Sequence, residues 1–453
     1  MNYIPHSTKE VREMLDTLGL DRIERLFSHI PEEALCRKEL DLHRAMTEPE
    51  LKRHCEELSL KNRHFSRSFL GGGAYRHYIP SAVNAIISRP EFFTAYTPYQ
   101  AEASQGTLQA IYEFQSFMCL LLGMDVSNAS LYDGSTAVAE ASILALNETR
   151  RKKLLISEAL HPEYREVVKT YLGHSTEIEE IPHSDGITGI EALKGMVDKN
   201  VAAVIIQNPN FFGAIETMNE ISLAVKAVGA LLVTVINEPY SLGVLKSPGS
   251  YGTDIAAGEC QAFGLPPSFG GPYLGFMATK AQFMRKIPGR LSGKTVDTEG
   301  NRGFVLTLQA REQHIRREKA ASNICTNEAL CALAATVHLS LLGKGGLREA
   351  ALQNVQKAHY AEGQITAIEG FRKKFSPPFF NEFVIQCDGS APGEVNRKLS
   401  DAGIAGGLEL GRFYPSLADC LLFSVTEMNS REDIEALAAA MKTSSPVLER
   451  RQA

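Results

Sequence analysis

Between residues 152 and 279, short apolar runs alternate with amphipathic stretches. Lys153–Ser157, Val201–Gln207 and Leu231–Ile236 read as buried strands, and a more polar strand spans Thr176 to Ile181. Between them, PEYREVVKTYL, GIEALKGMV and EISLAVKAVG read as helices. Apolar strands alternating with amphipathic helices predict a mostly parallel, covered sheet. The apolar lead-in Ile255–Gly258 and the run Tyr273–Thr279 add two strands around a Gly/Pro-rich loop, with four glycines and three prolines from Gly264 to Gly275. So many fixed or special backbone angles predict a connection of defined shape.

Upstream, Leu108, Ile111, Tyr112, Gln115, Met118, Cys119 and Leu122 form one stripe of a helix that begins at Ser104 and stops at Gly123. Gly134-Ser135-Thr136 opens a helix that is apolar on nearly every side. Residues 1–64 predict a helical arm, with Ser7 capping VREMLDTL, a helix from Pro31-Glu32-Glu33, and Thr47 with Pro49 starting a third. Downstream of residue 328, LREAALQNVQKAHYAEGQI reads as a long helix and PFFNEFVIQC and LLFSVTE as strands. A last helix, REDIEALAAAMK, follows a box of Ser430 and Asp433, and SSPVLERRQA is expected to fray. The predicted domains are 1–64, 65–327 and 328–453.

With 44% hydrophobic and 22% charged residues, the chain has an ordinary globular composition. A net charge of −6 argues against a broad nucleic-acid surface, and no apolar run approaches the length that crosses a bilayer. The amino terminus shows no secretory pattern. None of the eight cysteines forms C-x-x-C and none has zinc spacing, so no metal site is expected. Most read as small core residues of a cytoplasmic protein. Pro288 to Asn327 is dense in cations, among them Arg311 and Arg316, but interleaved acids and the lack of an aromatic platform exclude a nucleic-acid reading. Arg316, Arg317 and Glu318 read equally as a solvated, salt-bridged helix.

The stretch GECQAFGLPPSFGGPYLGFMATK resembles the alpha subunit of the glycine cleavage system P-protein family, and the likeness extends from about residue 10 to 443. TAYTPYQ and PGRLSGKTVDTEGNRGFVLTLQAREQHIRREKAASNICTN carry it further. The resemblance implies an α/β, fold-type I pyridoxal phosphate (PLP) transferase-like chain: a large domain with a mostly parallel seven-stranded sheet, plus a small carboxy-terminal α/β domain. It implies that glycine is decarboxylated on PLP and the aminomethyl group passes to the lipoyl arm of H-protein, in an α2β2 assembly with a beta subunit. Catalytic relatives carry a lysine in the pattern H-K-(T/S)-F, and Gln261 stands at that position. An amide nitrogen forms no imine. The cofactor lysine is therefore expected in the beta subunit, with no catalytic residue here.

The resemblance also marks vestigial cofactor positions. Ser135 and Thr136 lie at the phosphate turn, although Ser135 also reads as an ordinary N-cap. His161 falls where relatives stack a ring on the pyridine. Glu238 falls near the acid that meets the pyridine nitrogen, as E-P where the family usually has D-P. Tyr96, Tyr99, Arg311 and Arg316 are candidates for the cleft or subunit interface, and the tyrosines alternatively pack under the helix that follows. The arm either embraces a partner or folds on its own chain, and Gly71–Gly73 is either a loop bordering the cleft or a plain turn. Two rivals stand beside this reading. One is a self-sufficient PLP enzyme using a displaced lysine, Lys246 or Lys280. The other is a catalytically inert partner with a PLP fold.

Overall fold

A computed structural model describes residues 5–36, 38–320, 322–324 and 326–443. The frayed end expected at SSPVLERRQA and the core role considered for Cys325 lie outside the described residues.

The chain divides into a unit of residues 1–63 and a unit of residues 64–453. In the first, α1 (Thr8–Thr17) and α2 (Glu48–Leu60) both start with reciprocal capping boxes, Ser7 with Glu10 and Thr47 with Glu50. These satisfy amide groups that a helix start otherwise leaves open. The helix expected at Pro31 is only a three-residue 3-10 turn, Glu32–Ala34. Its apolar neighbours are too few to pull a longer helix onto a core. Cys36 and Cys55 are exposed, contrary to the core role expected of most cysteines.

In the second unit, α3 (Gln105–Leu122) ends on Gly123 in the left-handed conformation, and α4 (Gly134–Thr149) is buried along most of its length. The central sheet has seven strands: β1 (Val126–Ser127), β2 (Lys153–Ser157), β3 (Glu177–Ile181), β4 (Val201–Gln207), β5 (Leu231–Ile236), β6 (Ile255–Glu259) and β7 (Gly275–Thr279). Their order is β1-β7-β6-β5-β4-β2-β3. From β6 to β3 the strands are parallel, whereas β7 is antiparallel to both neighbours. The crossover helices α5 (Pro162–Leu172), α6 (Ile190–Met196) and α7 (Met218–Ala227) join the parallel strands, as parallel pairing requires. Strands β4 and β6 are buried at every position, which is why they read as unbroken apolar runs.

Helix α8 (Ala329–Thr366) is interrupted at Gly343, whose φ of 59° and ψ of −180° are not helical. Its first part packs Cys331, Ala332, Ala334, Ala335 and Leu339 with Phe114, Met118 and Phe263 of the sheet layer. Its second part packs Ala358, Ala361 and Ile365 with Phe383 and Phe423 of the carboxy-terminal layer. By length and composition alone α8 would cross a membrane, but half of its most apolar window is buried inside the protein. It is a core helix shared by two layers. The terminal layer has four antiparallel strands, two more than the sequence predicts: β8 (Phe371–Lys373), β9 (Glu382–Cys387), β10 (Leu408–Glu409) and β11 (Cys420–Ser424), in the order β8-β9-β11-β10. The two missed, β8 and β10, span only three and two residues, too short for a pattern to show. Helices α9 (Pro392–Asp401) and α10 (Arg431–Lys442) complete it, the latter behind the Ser430–Asp433 box.

Gly213 fastens the two sheets together. Phe380 N–H donates to its carbonyl at 3.1 Å, and at φ +81° an added Cβ would lie 2.0 Å from the Glu382 carbonyl oxygen. Gly213→Ala must move backbone on both sides and is expected to destabilise the protein by about 3 kcal/mol. An unchanged urea midpoint would show that the two layers are not held at this point.

Candidate functional site

Loops from the carboxyl ends of β2, β4, β5 and β6 converge at one edge of the sheet, where open α/β folds place their ligands. The residues expected to mark a cofactor site all lie there. Each is already engaged by this chain.

Gln261 sits one turn beyond β6 and is 1% exposed. Its Oε1 accepts the Tyr75 N–H at 3.0 Å, while its Nε2 donates to the Tyr75 carbonyl at 3.1 Å and the Leu265 carbonyl at 2.5 Å. The carboxamide thus clips the glycine loop to the Gly/Pro-rich loop through its oxygen and both of its N–H groups.

Asp133, rather than Ser135, caps α4: its carboxylate accepts from Thr136 N–H at 2.8 Å and from the Ser135 hydroxyl at 2.6 Å. The cap expected at Ser135 is corrected because Asp133 has the extended backbone (φ −156°, ψ 174°) that a cap position needs. Beside it, the Gly134 N–H donates to Glu259 Oε2 at 2.9 Å, and Glu259 Oε1 accepts from Leu274 N–H at 2.7 Å and Gln261 N–H at 2.9 Å. The anion site at the helix start is therefore filled by a carboxylate of the same chain. Burial pushes the Glu259 carboxyl up to about 7, opposed by these amide donors.

His161 accepts the Glu163 N–H on Nδ1 at 3.3 Å, so Nε2 carries the proton and donates to the Gly72 carbonyl at 2.7 Å. Burial lowers its pKa, which favours this neutral form. Gly73 lies so close that an added Cβ would come within 2.7 Å of His161 Nε2 and 3.0 Å of Asn237 Nδ2. Gly71–Gly73 is thus a close-packed cover over His161, and only glycine fits there.

Glu238 Oε2 meets His77 Nε2 at 3.1 Å and Asn381 Nδ2 at 3.3 Å, while Oε1 accepts from Tyr240 N–H at 3.0 Å. The other ring nitrogen of His77 meets Glu427 Oε2 at 2.8 Å, and its ring stacks on Tyr240 with centroids 3.9 Å apart. Burial would lower the His77 pKa, but the Glu238 and Glu427 carboxylates outweigh it and hold the imidazolium up to about 9. Glu382 accepts from Gly72 N–H at 2.6 Å and from the Tyr75 hydroxyl at 2.8 Å, and burial pushes its carboxyl up to about 8.

These residues do not fit PLP. The turn offers no amine, the phosphate position holds a carboxylate, the acid for the pyridine nitrogen holds an imidazolium, and a glycine loop covers His161. Among the described residues no group of three or more His, Cys, Asp or Glu side chains is arranged to hold a metal ion.

The remaining candidates lie elsewhere. Tyr96 is 82% exposed and Tyr99 54%, so neither is packed beneath α3, although the Tyr99 hydroxyl accepts from Arg290 at 3.2 Å. Arg311 donates to the Ile287 carbonyl and, at 2.6 Å, to that of Gly289. The salt-bridged helix considered for Arg316, Arg317 and Glu318 is not formed. A helix of four residues, Gln313–Arg316, is followed by a 3-10 turn, and none of the three makes an ion pair among the described residues. Sequence reasoning missed His77, Glu259, Glu382 and Glu427. Glu259 alone left a signal, as an acid directly after a buried strand; the others are brought together from positions hundreds of residues apart.

The architecture is that of the fold-type I PLP-dependent enzymes. At 14% identity, a sphingosine-1-phosphate lyase from Burkholderia pseudomallei superposes with a TM-score of 0.65 over 93% of this chain and 96% of its own, and a NifS-like protein with 0.62 over 85% and 99%. The family model for the glycine cleavage system P-protein matches residues 1–441, and the chain belongs to that family. It is 54% identical to the probable glycine dehydrogenase (decarboxylating) subunit 1 of Moorella thermoacetica, over 98% of this chain and 99% of that one. The corresponding protein of Desulforamulus reducens is 52% identical over 97% and 99%. A crystal structure of glycine decarboxylase (P-protein) in inhibitor-bound form superposes with a TM-score of 0.87 at 44% identity, covering 98% of this chain and 100% of that one.

Two outcomes are expected. Gln261→Leu strands the Tyr75 amide and two carbonyls and should cost about 3 kcal/mol, read as a lower urea midpoint; a loss below about 0.5 kcal/mol would mean that the clip carries no load. The His77 contribution has a definite sign. Its folded pKa is raised, so the stabilisation is complete below about 6.5 and lost as pH rises through about 9. Wild-type stability should fall across that window by on the order of 3 kcal/mol more than that of His77→Gln. Parallel pH profiles for the two proteins would refute the charged pairing.

Proposed function

We propose that this chain is the subunit of a glycine dehydrogenase (decarboxylating) that does not anchor PLP. It would work with a partner subunit that does, in the decarboxylation of glycine and transfer of the aminomethyl group to a lipoylated carrier protein. Kinship with proteins named subunit 1 supports a multi-subunit enzyme. The observation that carries the division of labour is Gln261, a buried amide whose oxygen and both N–H groups are hydrogen-bonded within this chain, at the turn where catalytic relatives have their lysine. An α2β2 assembly in the cytoplasm completes the reading.

In that assembly the chain contributes a rigid wall. Its glycine loop is fixed from below by Gln261, Glu382 and His161, so it holds shape without a ligand. Preorganised surfaces of this kind exclude water and position groups instead of reacting themselves. The exposed Tyr96–Tyr99 loop offers aromatic surface suited to the interface with the partner.

A displaced lysine is disfavoured by geometry. Lys280 is ion-paired with Asp254 at the far end of β7, about 16 Å from the turn by strand rise. Lys246 lines a separate cavity with Glu216 and Tyr251.

Glycine-dependent exchange of labelled CO2 is expected only when this chain is mixed with its lysine-bearing partner, and exchange by the chain alone would overturn the assignment. Gln261→Lys, incubated with PLP, should give no borohydride-reducible yellow band, because the ring and phosphate positions stay filled. A stoichiometric band would show that the missing amine was the only obstacle. Tyr96→Ala is expected to lower exchange by the complex about tenfold without changing this chain's melting temperature; full activity would favour an inert partner.

A further inference from the structure

One cavity, of about 460 Å³, lies away from the filled cleft. It opens between the second half of α4 and the segment from Arg285 to Ser322. Glu140, on its wall, is six residues along α4 from Gly134, about 9 Å by helical rise. The cation-dense segment singled out in the sequence finds its place here. Arg150, Arg285, Lys286, Arg311, Arg316 and Lys319 all line the cavity.

Among the described residues, only Lys286 in this set has an acidic partner, Glu148. Arg150, Arg285, Arg316 and Lys319 make no ion pair among the described residues. Arg311 is held in place by the Ile287 and Gly289 carbonyls, and its Nε is buried with no hydrogen-bond partner. The lone acid of the lining, Glu140, is 2% exposed, and burial pushes its carboxyl up to about 7, which weakens its ability to neutralise the cations. A protein of net charge −6 thus places six cations around one concavity, all but Lys286 without an ion pair among the described residues. An anion from outside would relieve their mutual repulsion.

We propose that this cavity binds a small multiply charged phosphate compound, such as a pyrophosphate or the diphosphate of a nucleotide. Several guanidinium groups on one wall favour tetrahedral oxyanions, onto which they fork with two hydrogen bonds each. The volume lies within the range of small-ligand sites and is far too small for a nucleic-acid duplex. The apolar Ile143, Leu144 and Pro288 supply the remaining wall for the body of such a ligand. The site does not depend on the assignment of activity made above, since it uses none of the residues of the filled cleft.

The test is titration calorimetry of the full chain with sodium pyrophosphate, then ADP, and separately an acidic hexaglutamate peptide, each at about physiological ionic strength. One saturable site for pyrophosphate is expected, weakened about tenfold or more in Arg285→Ser/Arg316→Ser. Lys319→Ser should weaken it less, and Arg372→Ser, on the carboxy-terminal sheet and paired with Asp388, should leave it unchanged. Tighter binding of ADP would identify a nucleotide, and equal binding a free phosphate compound; both support the site. Absence of saturable heat, equal weakening by Arg372→Ser, or binding of the peptide alone would overturn it. Melting curves of the variants separate loss of the site from loss of the fold. Activity of the assembled enzyme enters none of these readouts, so failure here leaves the proposed subunit role standing.

Discussion

Burying a charge is costly unless the fold supplies its counterpart, and in this chain the counterpart at the cleft comes from within. His77 stands between Glu238 and Glu427; His77 and Glu238 are buried, Glu427 is partly so, and Glu382 is buried nearby. A second closed circuit joins Glu259 to the amide of Gly134, and a third joins Gln261 to both backbone groups of Tyr75. The first and third circuits depend on one feature, the descent of residues 71–77 onto the ends of the parallel strands. Remove that loop and the carboxylates of Glu238, Glu382 and Glu427 and the amide of Gln261 would lose partners together.

The same circuits close the cleft with this chain's own side chains. The Glu259 carboxylate meets the amino terminus of α4, and the His77 imidazolium lies against Glu238. Each pairing is electrostatically favourable: anion at a helix amino terminus, cation against a carboxylate. The scaffold therefore has internal partners for its buried charges, and under the proposed division of labour the reactive chemistry falls to the partner.

Charge is distributed with a similar economy over the rest of the large layer. At the cleft every buried ionisable group has a partner. Along the far half of α4 the cations line a concavity and, Lys286 apart, make no ion pair among the described residues, the opposite condition within one chain and along one helix. A satisfied region and an unsatisfied one so near each other separate a structural role from a binding role more clearly than residue identity does.

Periodicity alone located β2, β4 and β5 to the residue, because strands buried on both faces leave continuous apolar runs. Capping chemistry marked the starts of α1, α2 and α10, where the signal lies within four residues. The replacement of a lysine by Gln261 was legible as a substitution in a recognisable frame. What that amide does was not, because its partners are backbone groups of Tyr75, 186 positions away in sequence. The cap on α4 passed to Asp133 for a comparable reason: D-G-S-T offers two side chains able to cap, and only the backbone angles choose between them. Local spacing encodes what is settled by neighbours along the chain. The pairing of His77 with Glu238 and Glu427, across separations of 161 and 350 residues, was decided by the fold, since partners for buried charge are found only once distant segments have met.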